Sequence, residues 1–259
     1  MSASITKAPS EDARLRYVLR LADTSLILGQ RLSEWVGHAP ALEEDLGVAN
    51  IALDLIGQAR LLLSYAGELE GRGRSEDELA FLRDASEFLN LTLVEQPNGD
   101  FGHTLVRQLL VSAFQLELYE ALQNSADPRL AEVAAKAVKE TRYHVRYSAS
   151  WVVRLGDGTP DSHARVQAAL DELWPFTGEL FAEDDVEAAM AVADIAPRAA
   201  DLKARWSARI DTVLAEATLT RPTDSVFPWH GKRGIHTEHL GYMLAEMQFL
   251  QRAYPGAEW

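Results

Sequence analysis

Apolar residues recur every three to four positions along nearly the whole chain, and no stretch keeps the two-residue alternation of a strand. Leu15, Val18, Ala22, Leu26, Gly29, Leu32 and Val36 mark one face of a first helix, about Glu11 to Val36. Pro40 suits the first turn of a second, which runs to about Leu69 and ends at the Gly71/Gly73 pair. Its stretch from Leu46 to Leu63 is apolar on most sides, the pattern of a helix at a bundle centre. Ser75-Glu76-Asp77-Glu78 is a capping-box signature opening a shorter helix to about Leu89.

Val94 to Asp100 is a turn-rich loop, and Asp100 can cap a helix reaching about Asn124. Asp127-Pro128 pairs a cap with proline at the first helical position and opens a helix to Leu155, stopped by Gly156 and Gly158. Ser162 to Phe181 is expected to be helical with a kink at Pro175. A short acidic helix over Asp184 to Val192 follows, then helices over Pro197 to Leu219 and Thr237 to Tyr254, with Thr220 to Ile235 irregular. The pattern predicts an all-α protein, a four-helix bundle with additional C-terminal helices. No repeat or low-complexity linker divides it, so a single domain is expected.

The 259-residue chain has no cysteine, which removes disulfides, thiolate-ligated zinc, iron–sulfur clusters and thiol catalysis. A net charge of −14 argues against a general nucleic-acid or anionic-membrane binder. Met1 to Ser10 lacks the apolar core of a signal peptide, and no apolar run is expected to span a bilayer, so a cytoplasmic protein is the default.

Two helical segments have the spacing, but not the ligands, of a di-iron bundle, which requires Glu-x-x-His on two helices. The pairs at that spacing read Leu55/Gln58 and Thr141/His144. Asp23 and Glu34 on the first helix, with Glu117 and Glu120 on a later one, are the other carboxylates within reach. A neutral amide such as Gln58 is a weak ligand beside imidazole or carboxylate. Asp54, Gln58, Glu140 and His144 are candidates for a buried polar network at the metal position; an ordinary surface pair of Glu140 and His144, with Lys136 one turn earlier, is the alternative. An independent iron-dependent oxygenase using Asp54, Glu140 and His144 is the rival reading.

In His236-Thr237-Glu238-His239, Thr237 reads as a helix N-cap and Glu238 as a first-turn carboxylate rather than metal ligands. Gly231-Lys232-Arg233-Gly234 is a basic loop in which Lys232 and Arg233 are candidate phosphate contacts. Trp229 and Trp259, in irregular segments, are candidate anchors for a protein partner.

The stretches Glu34 to Pro40, Leu53 to Arg60, Leu93 to Phe101, Lys139 to His144, His236 to Gly241 and Met243 to Gln248 resemble the PaaC family. These are the smaller, ferritin-like subunits of bacterial ring 1,2-phenylacetyl-CoA epoxidase, or phenylacetate-CoA oxygenase. The resemblance runs from about Tyr17 to Trp259, and the residues outside it imply a disordered tail over 1–14 ahead of a single ferritin-like domain over 15–259. It implies a ferritin-like fold and a non-catalytic, structural role beside the homologous catalytic partner PaaA, which carries the di-iron site and epoxidises the ring of phenylacetyl-CoA. It also implies a small bridging subunit and a reductase holding flavin and iron–sulfur, with no cofactor bound by the present chain. The Asp-Glu-x-Gly-His pattern of PaaA falls on Asp54-Leu55-Ile56-Gly57-Gln58, so both ligands are replaced. The second Glu-x-x-His falls on Thr141 to His144 and keeps only the histidine.

Overall fold

The computed structural model describes residues 11–257, which are helical with no strand. Four long helices form the frame: α1 (Glu11–Ser33), α2 (Leu42–Glu70), α4 (Phe101–Leu122) and α5 (Pro128–Gly156). Between α2 and α4 lies a crossover holding the short α3 (Glu76–Phe81) and 3-10 turns at Ala85–Glu87 and Thr92–Glu95. The C-terminal part adds α6 (Pro160–Leu173), a 3-10 segment at Trp174–Phe181, α7 (Asp185–Val192), α8 (Ala199–Glu216), a 3-10 turn at Gly231–Arg233, α9 (Glu238–Met247) and α10 (Phe249–Ala253).

Helix α1 packs along α2 and α4 along α5. Asp54 meets His144 while Gln58 meets Glu140, so α2 and α5 are antiparallel. Contacts of Ser25 with Tyr119 and of Trp35 with Thr104 set α1 antiparallel to α4. Two helical hairpins joined by one long crossover is the ferritin-like arrangement. A single apolar cluster runs from Tyr17 on α1 to Leu244 on α9.

The caps at Ser75, Asp100 and Asp127 form as the sequence predicts, each side chain accepting a backbone N–H of its helix. Several boundaries differ. Helix α1 already includes residues 11–14, expected as tail: Ala13 packs on the core and Arg14 lies 3.8 Å from Asp127. The helix expected to reach Leu89 stops at Phe81, because Arg83 turns inward to Asp23 and Asp84 caps a separate turn. The continuous helix to Phe181 tightens to 3-10 from Trp174, next to Pro175. Thr237 stands at the N-cap of α9, yet its hydroxyl makes no cap; the Glu95 carboxylate takes the Thr237 N–H instead, at 2.6 Å. One 18-residue window of α2 is long and apolar enough to cross a membrane by length and composition, contrary to the expectation from sequence, and half of it is buried in the bundle.

Buried charge, rather than apolar contact alone, fixes the crossover. Arg83 and Asp23, both buried, form an ion pair beneath it, and Asp23 also accepts the Leu89 N–H at 2.8 Å. Glu179 accepts the N–H groups of Thr92 and Lys232. Arg107, fully buried on α4, donates to the Gln96 and Pro97 carbonyls and to Asn98, holding the turn-rich loop. Burial pushes the Arg107 pKa down to about 9, with Arg31 adding repulsion.

Glu95 faces both the crossover and the C-terminal segment. His236 sends Nδ1 to the Glu95 carboxylate at 2.9 Å and Nε2 to the Phe88 carbonyl at 2.8 Å, so both ring nitrogens face acceptors. Burial alone would lower the His236 pKa, but the hydrogen bond to Glu95 and its charge outweigh burial and hold it above the ordinary histidine value. The sign follows: the contribution of the pair is complete below the unfolded value of about 6.5 and disappears as pH rises through the raised folded value. Denaturation midpoints measured on both sides of that window should fall with rising pH in the wild type. In His236→Gln that slope should vanish; an unchanged slope would assign it to another group.

Candidate functional site

Helix α2 places Asp54 and Gln58 four residues apart, on the side that faces α5; helix α5 returns Glu140 and His144 at the same spacing. The four residues pair two by two. Gln58 Nε2 donates to Glu140 Oε2 at 2.9 Å, and His144 Nε2 lies 3.0 Å from Asp54 Oδ2. Gln58 and His144 are buried, whereas Asp54 and Glu140 reach partway to solvent. Lys136 stands 4.0 Å from Glu140, at the edge of ion-pair range. The site is therefore a polar seam between two helices, with its carboxylates toward the outside.

The seam continues inward through residues that sequence patterning did not single out. Tyr119 donates to Gln58 Oε1 at 3.3 Å, Ser25 Oγ lies 3.5 Å from the Tyr119 hydroxyl, and Gln115 Nε2 reaches Ser25 at 3.5 Å. Burial, helped by the Glu140 charge, pushes Tyr119 up to about 12 against the opposing bond from Ser25, so the phenol stays a donor to the amide. A readable signal existed: Gln115 and Tyr119 are four apart on α4, so the helix puts both on one face.

The other ligand positions are inert. Leu55 is wholly buried in the core, its Cβ 3.4 Å from where a Cβ on Gly29 would lie. The Thr141 hydroxyl donates to the Ala137 carbonyl of its own helix at 2.8 Å. His144 Nδ1 is buried without a hydrogen-bond partner. The remaining carboxylates considered from sequence are engaged elsewhere: Asp23 with Arg83, Glu34 with Arg31 and Asn98, Glu117 with Arg205 and Arg209, Glu120 with Arg142. Among the described residues no three histidine, aspartate or glutamate side chains converge as a metal cluster. Iron in such a bundle is held by carboxylates and imidazoles from four helices. The residues here do not fit that centre, since the buried positions offer an alkyl chain, an amide and a hydroxyl committed to its backbone.

The basic loop has a different role from the one its composition suggests. The Lys232 ammonium bonds the Ala182 carbonyl and lies 2.8 Å from Glu187, and Arg233 lies 3.3 Å from Asp184. The two acids are shared with buried Arg20. A Cβ on Gly231 would stand 2.3 Å from the Asn90 carbonyl, and one on Gly234 2.3 Å from that of Ser86, so the loop lies tight on the crossover. Its cations pair with acids at the start of α7, so their charge is largely taken up within the fold. Trp229 packs on Phe176 with centroids 4.5 Å apart and donates to the Pro175 carbonyl, so it is partly consumed within the fold. Trp259 lies outside the described residues.

Comparison with known proteins places this frame. The family model described as phenylacetic acid catabolic protein, covering PaaA and PaaC, matches residues 2–259. The chain belongs to that family. It is 52% identical over 243 residues, 94% of its length and 98% of the relative's, to the C subunit of 1,2-phenylacetyl-CoA epoxidase of Escherichia coli strain K12. The PaaC resemblance carried by the motifs is thereby upheld. Among solved structures, Protein 19 with aldehyde deformylating oxidase activity from Synechococcus superposes with a TM-score of 0.62 at 16% identity, over 83% of this chain and 94% of that one. At that identity the likeness concerns the fold, which is all-α and ferritin-like.

Proposed function

We propose that this chain is a structural subunit of a cytoplasmic, multicomponent monooxygenase that epoxidises the aromatic ring of phenylacetyl-CoA, and that it binds and stabilises a homologous di-iron subunit, PaaA, without performing the chemistry. The epoxidase to which the Escherichia coli relative belongs supports the substrate and the complex. The observation that carries the division of labour is the polar seam: Gln58 and Glu140 spend on each other the donor and acceptor capacity that a metal site would need. Di-iron belongs to the partner in this reading, and flavin and iron–sulfur to a separate reductase, while a small bridging subunit makes the assembly whole. A permanent partnership of this kind buries on the order of 2,000 Å² or more.

Metal analysis of each purified chain tests the reading. The isolated chain should carry far less than one iron per molecule, while its co-expressed complex with PaaA carries iron that follows PaaA after separation. His144→Ala should lower stability by about 0.5–3 kcal/mol, because a wholly buried imidazole and its packing are removed, and should leave the iron content of the complex unchanged. Stoichiometric iron in the isolated chain, lost in His144→Ala, would instead establish the independent oxygenase built on Asp54, Glu140 and His144.

A further inference from the structure

Between α1, α4 and the C-terminal helices α7 and α8 lies a cavity of about 60 Å³, walled mainly by apolar side chains such as Leu118, Leu180 and Leu202. Seven polar side chains also border it, and five of them are committed within the fold. Arg20 pairs with Asp184 and Glu187, and Lys232 with Glu187 and the Ala182 carbonyl. Thr24 accepts the Leu91 N–H at 3.2 Å, and Tyr119 donates to Gln58. The other two are Tyr17 and Gln115. Tyr17 is 5% exposed, and its hydroxyl makes no hydrogen bond among the described residues. Gln115 is 3% exposed; its Nε2 lies 3.5 Å from Ser25, while its Oε1 is buried without a partner.

The size of the cavity and its two uncommitted groups together limit what fills it. Its volume is room for about four water molecules. A buried water makes about three hydrogen bonds, and one phenol and one amide oxygen on an otherwise apolar wall leave a cluster of four short of that. An empty cavity leaves both groups unmet, at the full cost of their desolvation. One organic molecule of about four non-hydrogen atoms with a single hydroxyl satisfies both. Its oxygen accepts from Tyr17, and its proton goes to Gln115 Oε1, which turns about a broad terminal torsion. Its carbon body meets the leucines in place of water. Charge is excluded, because each cation and carboxylate at the wall already has its counter-ion.

We propose that this cavity is a binding site for a small uncharged molecule with one hydroxyl, a short-chain alcohol in chemical class, held by the Tyr17 hydroxyl and the Gln115 amide oxygen. The site does not depend on the function proposed above. Ala182 and Lys232 border both the cavity and a surface bowl of about 250 Å³ beside Phe227 and Trp229. The hydrogen bond from the Lys232 ammonium to the Ala182 carbonyl therefore stands at the partition between the two.

Methyl NMR spectra of the full chain titrated with 2-propanol test the proposal. A ligand of this size binds no tighter than on the order of tens of micromolar, so the titration extends into the millimolar range. Methyl signals of Leu118, Leu180 and Leu202 should shift saturably and show nuclear Overhauser contacts to the methyl groups of the alcohol. Tyr17→Phe and Gln115→Met should each raise the dissociation constant about fivefold, the contribution of one hydrogen bond. Acetone accepts from Tyr17 but has no proton for Gln115. Its binding should therefore weaken in Tyr17→Phe and stay unchanged in Gln115→Met, whereas a general loosening of the cavity would move both probes together and overturn the assignment. Shifts that stay linear in alcohol concentration, or saturable binding equal in the wild type and both variants, would also overturn it. Should a variant fail to fold, the Overhauser contacts in the wild type decide: present at these leucines they support the site, and absent they refute it.

Discussion

Replacing Arg83 by methionine is expected to cost about 3–5 kcal/mol of folding stability, because it strands the Asp23 carboxylate in the core. Asp23 is fully buried and Arg83 nearly so, and no solvent is available to take over the charge. The guanidinium does more than pair: it donates to the Glu87 carbonyl at 3.0 Å and lies 4.3 Å from the Phe88 ring centroid, fixing the crossover where α3 ends. Removing both charges together, in Asp23→Leu with Arg83→Met, should recover much of the loss, since an apolar pair of similar volume has no desolvation to offset. Recovery is incomplete because the Leu89 N–H then lacks its acceptor, at about 1–3 kcal/mol. Urea midpoints for the wild type, both single variants and the double variant separate these contributions. A single Arg83→Met variant as stable as the wild type would show that Asp23 finds another partner.

Glu95→Ala should be comparably damaging, at about 3–5 kcal/mol, for a related reason. The carboxylate is wholly buried and takes three donors at once: His236 Nδ1, the Thr237 N–H and Asn90 Nδ2 at 3.1 Å. Alanine leaves an imidazole, a backbone N–H and an amide unmatched at the start of α9. Glu95→Gln keeps an acceptor of nearly the same shape and is expected to cost less. Hydrogen exchange over residues 236–248 should rise first in Glu95→Ala, because this carboxylate ties α9 to the crossover; protection equal to that of Glu95→Gln would show that apolar packing of Leu240 and Leu244 suffices.

The four long helices were legible because each carries its own periodicity, and two of them, α4 and α5, start at Asp100 and Asp127, capping chemistry within a few residues of the groups they cap. The degenerate ligand positions were legible for the same reason, since Leu55 and Gln58 occupy a spacing that a helix converts directly into a shared face. What sequence could not show was long-range pairing of charge. Asp23 read as a possible ligand from α1, yet its partner is sixty residues away in the crossover. Lys232 and Arg233 read as a solvated or partner-contact turn with candidate phosphate contacts, because nothing local reveals that Asp184 and Glu187 pair with them. Glu95 sits in a turn-rich motif whose composition announces a loop, while its role is decided by His236, more than a hundred residues later. Patterning sees neighbours along a helix; it does not see which buried ions find each other across the fold.

The four-helix frame is complete in sequence by Gly156, but the crossover it depends on is closed by residues at the far end of the chain. Glu95 waits for His236 and Thr237, Glu179 for the Lys232 backbone, and the Ala80 and Arg83 carbonyls for Gln248. A nascent chain emerging from the ribosome can therefore assemble its helical hairpins early, yet it holds uncompensated groups until residues 232–248 are released. Final sealing of the frame is thereby timed to the synthesis of residues 232–248, and a message truncated shortly before residue 232 would yield a frame that cannot seal itself.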